Sequence, residues 1–169
     1  MTRAAFARGA AIVLMAIIMS GCSKSQPNNY GLGGPGGGEG PGAPGSEREF
    51  AVKVGDTVRF TVDSAVLTPE GEQTLNGQAK WLSQYGNYGI TIEGHADERG
   101  TREYNIALGA QRAAAAKQYL STRGINPGRI RTLSYGKERP VAVCADISCW
   151  SQNRRAVTVL GRGGAVAQY

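Results

Sequence analysis

The sequence predicts an α+β domain whose helices pack on one mixed sheet and which is preceded by a disordered Gly/Pro tether. Apolar and polar residues alternate with period two at residues 58–62, 90–93, 129–134 and 156–160, the pattern of half-buried strands. Helical signals separate the first three of these runs. The 25 glycines are not spread evenly but crowd a stretch ahead of the domain and a short tail behind it. The resulting order, β-α-β-α-β-β with small βαβ units, directs the helices onto one sheet.

The first strand is expected at Val58-Arg59-Phe60-Thr61-Val62. Thr68-Pro69 then starts a helix: the hydroxyl caps it, proline suits the first turn, and Glu70 and Glu72 lie at the positive dipole end. Leu75, Ala79 and Leu82 make its apolar stripe, which fades at Tyr85-Gly86. The second strand is Ile90-Thr91-Ile92-Glu93. Thr101 caps a long Ala-rich helix that runs through Leu120 and is stopped by Gly124, with Pro127 beyond. Residues 129–134 and 156–160 supply the last two strands.

The segment ahead of the domain has two parts. Residues 1–21 read as a signal peptide, with Arg3 and Arg8 at a positive start and an uncharged apolar run from Ala10 to Met19. Ten helical residues span about 15 Å, half of a roughly 30 Å hydrocarbon core, so a membrane span is the weaker reading. Residues 22–48 hold Gly, Pro and small polar side chains, which bury too little apolar area to offset ordering entropy. Such a tether of about 24 residues has an r.m.s. span near 25–30 Å and a stretched limit near 80 Å. The domain is assigned to residues 49–161 and a flexible tail to 162–169.

Charge and composition exclude several function classes. Loss of Arg3 and Arg8 with the leader would lower the formal charge from +6 to +4, too small and too interspersed for a dedicated nucleic-acid binder. His95 is the only histidine. His95-x-Asp97 alone is not a metal site, and a strand-end histidine hydrogen-bonded to backbone is the expectation. No Ser-His-Asp order, nucleophile elbow or HExxH is present, so no enzyme activity is expected and no catalytic residue is named. Cys144 and Cys149, spaced C-x4-C in a loop before Trp150, fit either a local disulfide or two buried free thiols.

The informative stretch is Gly94-His95-Ala96-Asp97-Glu98-Arg99-Gly100-Thr101, followed by Tyr104-Asn105, Leu108 and Arg112-Ala113. Thr101, Asn105, Leu108 and Arg112 follow i, i+4, i+7, i+11 and so share one helix face. Asp97 sits in the loop just before that helix. A carboxylate and a guanidinium held this way suit a small zwitterion: Asp97 meets an ammonium, and Arg112 takes a carboxylate in bidentate fashion. The competing reading is a plain surface ion pair worth about 0–1 kcal/mol.

These residues resemble the OmpA-like peptidoglycan-binding family, and within it the peptidoglycan-associated lipoproteins of Tol–Pal systems. The resemblance rests on GHADERGT, Tyr104-Asn105, the LGxxRA run ending at Arg112-Ala113, Ser134-Tyr135-Gly136-Lys137-Glu138 and Asn153-Arg154-Arg155-Ala156. It implies noncovalent binding of the peptidoglycan stem peptide through the far end of meso-diaminopimelate, which carries an ammonium and a carboxylate on one carbon. By the family pattern Asp97 and Arg112 are the binding pair, Thr101 and Asn105 shape the loop, and Asn153 with Arg154 or Arg155 closes the site. The family's Phe-Asp-Phe-Asp run is here Phe60-Thr61-Val62-Asp63, so only Phe60 and Asp63 match. Substitution of Asp97 or Arg112 by Ala is expected to abolish binding and leave the fold intact.

Met19-Ser20-Gly21-Cys22 is similar to a bacterial lipobox with Met in place of the usual Leu. It implies a lipidated Cys22 as the mature N-terminus, with no other cofactor. Ser23 rather than Asp after it favours the outer membrane. The partners implied are peptidoglycan, the outer membrane through the lipid, and Tol proteins including the periplasmic β-propeller TolB. The alternative is another OmpA-like lipoprotein that serves a motor or secretion apparatus.

Overall fold

A computed structural model describes residues 42–162, so Cys22, the leader and most of the Gly/Pro segment lie outside the described residues. The elements run α1 (Glu47–Glu49), a π-helical stretch Phe50–Gly55, β1 (Thr57–Arg59), α2 (Pro69–Gln84), β2 (Tyr88–His95), α3 (Arg102–Thr122), β3 (Ile130–Gly136), α4 (Ile147–Asn153) and β4 (Arg155–Arg162). The four strands form one sheet in the order β1-β4-β2-β3. β2 pairs parallel with β3, while β4 runs antiparallel to both β1 and β2. The sheet is therefore mixed, as expected.

Both long helices start where their caps place them. The Thr68 hydroxyl accepts from the Gly71 amide at 3.1 Å and that of Thr101 from the Tyr104 amide at 3.2 Å, each satisfying an otherwise orphaned donor. α3 ends at Thr122, and Gly124, just past the C-cap Arg123, turns the chain with a φ of +90° that suits a residue without Cβ. Leu75, Leu82, Ile90, Ile92, Ala113, Ala116 and Leu120 build the core between helices and sheet. Buried Gln78 is satisfied at both ends, donating to the Gly55 carbonyl at 2.7 Å and accepting from the Thr158 hydroxyl at 2.8 Å.

Three expectations need correction. The first strand stops at Arg59 and does not continue to Val62. The chain there turns inward: the carbonyls of Thr61 and Ser64 accept from Arg112 at 3.2 and 2.9 Å, and Asp63 adopts φ 52°. Those groups cannot also extend a ladder. A fourth helix, α4, fills the region read as a loop around Cys149 and Trp150; the Asp146 carboxylate caps it, accepting from the Ser148 amide at 2.6 Å. The element order thus gains a helix before the last strand. The packed chain also reaches back to Gly45, within the segment assigned to the tether. The Gly45 carbonyl accepts from the Tyr88 hydroxyl at 2.7 Å, and Glu49 accepts from the Gly45 amide at 2.7 Å and the Trp81 indole at 3.3 Å.

Candidate functional site

A cleft of about 260 Å³ opens between the C-terminal end of β2, the first turns of α3 and the bend at residues 62–63. Val62, Asp63, Asp97, Arg99, Gly100, Tyr104, Asn105, Leu108 and Arg112 line it. Asp97 and Arg112 thus share one cavity, reached from two different elements. Asn105 is buried and its side-chain amide donates to the carbonyls of Arg99 at 2.8 Å and Thr101 at 3.0 Å. It thereby fixes the loop between β2 and α3, while Thr101 caps the helix below it. Asp63 enters from the opposite wall and accepts a hydrogen bond from the Tyr104 hydroxyl.

Phe60, Thr101 and Arg154 do not line the cavity; they stand behind it. The Phe60 ring lies 5.3 Å from the Arg112 guanidinium carbon, and its carbonyl accepts from Arg154 Nε at 3.2 Å. Arg154 also donates to Asp97 Oδ2 at 3.2 Å. Arg155 instead donates to the carbonyls of Asn153 and Arg139, so of the two arginines it is Arg154 that bonds Asp97 from behind the cavity. The Asn153 side chain pins the loop at Val141 and Ala142, accepting from both amides and donating to the Ala142 carbonyl at 2.8 Å.

The two charges are held differently. Arg112 is fully buried, and three of its five N–H groups donate to backbone carbonyls: Nε to Ser64 at 2.9 Å, Nη1 to His95 at 2.8 Å and Nη2 to Thr61 at 3.2 Å. One N–H remains on each terminal nitrogen, an arrangement still able to hold a carboxylate. Burial pushes this guanidinium down to about 10, with nearby Asp97 opposing the shift. Arg112 is consequently a structural post as well as a charge, and its replacement by Ala would leave three carbonyls without this donor, at a cost in stability.

Asp97 is almost buried. Burial pulls its carboxyl up, but hydrogen bonds from Arg99 and Arg154 outweigh this and hold it below the usual carboxylate range. Arg99 grips it with two side-chain nitrogens, Nη2 to Oδ2 at 2.7 Å and Nε to Oδ1 at 3.3 Å. The same guanidinium lies 4.4 Å from the centre of the Trp150 ring, whose indole N–H donates to Glu98. Neither Arg99 nor Trp150 is among the site residues that the sequence pattern marks. The signal available was the Asp97-Glu98-Arg99 triplet, in which two residues of spacing place opposite charges at one loop.

His95 departs from expectation. It is buried against Tyr135, and neither ring nitrogen has a hydrogen-bond partner among the described residues, although Nε2 lies 3.9 Å from a Glu93 carboxylate oxygen; its backbone carbonyl accepts from Arg112. Burial, with help from Arg155 and Arg139, pushes the imidazole down to about 4, so it is neutral at ordinary pH. Among the described residues no group of three or more His, Cys, Asp or Glu could hold a metal, and no helix is long and apolar enough to cross a membrane. Cys144 and Cys149 are joined in a disulfide, with Cα atoms 5.7 Å apart.

Residues 59–155 match the OmpA family. The chain is 56% identical over 162 residues to the peptidoglycan-associated lipoprotein of Agrobacterium fabrum, covering 94% of this chain and 91% of the relative. The protein of the same name from Pseudomonas aeruginosa is 42% identical, with 89% of this chain and 94% of the relative covered. Among solved structures, the peptidoglycan-associated lipoprotein of Burkholderia pseudomallei superposes with a TM-score of 0.61 at 40% identity, covering 63% of this chain and 90% of that one. The C-terminal domain of Helicobacter pylori MotB reaches 0.59 at 21% identity, with 63% and 84% covered, a likeness of fold alone. On the strength of the 97-residue match and of full-length relatives above half identity, this chain belongs to the OmpA family and, within it, to the peptidoglycan-associated lipoproteins.

Proposed function

We propose that this chain is an outer-membrane lipoprotein that holds the cell wall noncovalently, without catalysis, by binding meso-diaminopimelate in the peptidoglycan stem peptide. One observation carries the reading: Asp97 and Arg112, of opposite charge, line a single cleft of about 260 Å³. A head group with an ammonium and a carboxylate on one carbon has the matching charges. Buried hydrogen bonds to charged groups contribute roughly 1.5–3 kcal/mol each, enough for two such contacts to set specificity. The names of the relatives point the same way.

In this reading Cys22 carries the lipid, with the Gly/Pro segment spanning from membrane to wall. The domain then serves the Tol system, with TolB as a partner. Titration with diaminopimelate-containing stem peptide against its lysine-type counterpart tests the site. Lysine lacks the terminal carboxylate and would leave Arg112 unpaired, so preference for the diaminopimelate form is expected and equal binding refutes the assignment. Cys22→Ser should move the protein from the membrane to the soluble fraction. Co-purification of Tol proteins from membranes tests the partnership.

A further inference from the structure

Asp97 offers no vacant acceptor position to an incoming ammonium. A carboxylate has about four lone-pair sites, and four donors already occupy them: Arg99 Nη2 and Arg154 Nη1 on Oδ2, and the Arg99 amide and Arg99 Nε on Oδ1. A cationic ligand therefore reaches this carboxylate only by displacing one of them. Arg154 is a poor candidate to leave, because its side chain is 7% exposed and it is also tied to the Phe60 carbonyl. The Arg99 amide is fixed with the loop, whose carbonyl at Arg99 accepts from Asn105. The Arg99 side chain is different: it is 42% exposed and borders open solvent at the rim.

We infer that Arg99 is an affinity-setting residue of this cleft, a resident guanidinium that occupies the ammonium position at Asp97 and must swing out for ligand to enter. The inference rests on the proposed reading of the cleft. The exchange is isoelectric, one cation for another, so Asp97 remains paired throughout. Arg154 and the Arg99 amide stay in place, and Asp97 is never left a bare buried charge. In its resident position the guanidinium also lies 4.4 Å from the centre of the Trp150 ring, a contact that the swing gives up together with Asp97. Because the competent form is only a fraction of the molecules, the apparent dissociation constant is the intrinsic one divided by that fraction. The latch thus acts on association and leaves the bound complex untouched.

The test is stopped-flow binding of a fluorescently labelled diaminopimelate stem peptide to the full-length chain in detergent micelles. Wild type, Arg99→Ala and, as a charge-matched control, Arg102→Ala are compared; Arg102 is exposed, pairs with Glu138 and does not line the cleft. A half-exposed ion pair corresponds to roughly a three- to fivefold effect. Arg99→Ala should accordingly associate about three- to fivefold faster, with dissociation unchanged, and Arg102→Ala should not. Loss of a positive charge by itself would slow the approach of an anionic peptide, the opposite sign. Faster dissociation in Arg99→Ala would make Arg99 a direct ligand contact and overturn the latch, as would unchanged rates. No binding by wild type would instead sink the reading of the cleft, and the latch with it.

Discussion

Gly94 on β2 and Gly109 on α3 meet backbone to backbone. A Cβ on Gly94 would collide with the Gly109 carbonyl oxygen, and one on Gly109 would collide with the Ser134 hydroxyl. This contact brings the third turn of α3 down onto the end of β2, directly beneath the loop that carries Asp97. Neither glycine has positive φ, so close approach, not backbone freedom, requires them. Overpacking of a tight contact costs typically 1–3 kcal/mol. Gly94→Ala should therefore lower stability by about 3 kcal/mol, at the upper end because backbone cannot step aside; urea unfolding reads this directly.

Asp97 and Arg112 should differ sharply when substituted. Arg112→Ala removes a charged donor from three carbonyls, of which that of His95 is fully buried, and should cost about 3 kcal/mol of stability, since bonds from a charged group are worth roughly 1.5–3 kcal/mol. Asp97→Asn keeps an acceptor for Arg154 and should cost only about 1 kcal/mol. Sacculus pull-down should fail for both. Pull-down at wild-type level by Asp97→Asn would detach this residue from binding.

The buried imidazole of His95 predicts an acid limb in the stability curve. Its folded value, about 4, lies below the ordinary 6.5, so between these two the unfolded chain binds the extra proton. Stability is full above pH 6.5 and falls as pH drops toward 4, by about 3 kcal/mol on this account. Asp97 adds nothing in that window, since its carboxyl is held low and its contribution fades only below the ordinary carboxylate value. Denaturant midpoints at pH 7 and 4.5 should separate clearly for wild type and by much less for His95→Phe.

Reduction of the Cys144–Cys149 disulfide should loosen α4. Closing a loop of six residues is worth about 2 kcal/mol by chain entropy, which would be lost with dithiothreitol or in a Cys144→Ser, Cys149→Ser double variant. Thermal unfolding with and without reductant measures it, and the double variant should no longer respond.

How much of this was readable beforehand divides by the range of the interactions. The caps at Thr68 and Thr101, the stripe of Leu75, Ala79 and Leu82, and the shared face of Asn105, Leu108 and Arg112 are set by residues a few positions apart, and the structure places each as expected. The early end of β1 is not local: it follows from Arg112, some 50 positions downstream, drawing in the Thr61 and Ser64 carbonyls. The hold of Arg99 on Asp97 needs only two residues of spacing, yet its seat on Trp150 depends on α4 folding against the loop. That helix is not legible in the sequence because seven residues carry little periodicity.

The cleft and the point where the chain enters the domain lie at opposite poles. Gly45 is bonded to Tyr88 at one end of β2, and Asp97 follows His95 at the other, roughly 25 Å away at about 3.3 Å per strand residue. A pull between these two points runs along an interior strand, whose ladder to β4 is perpendicular to that line and whose ladder to β3 is slanted across it. Traction of this kind shears many hydrogen bonds at once instead of unzipping them singly, so the domain resists a pull between these two points better than one across its strands.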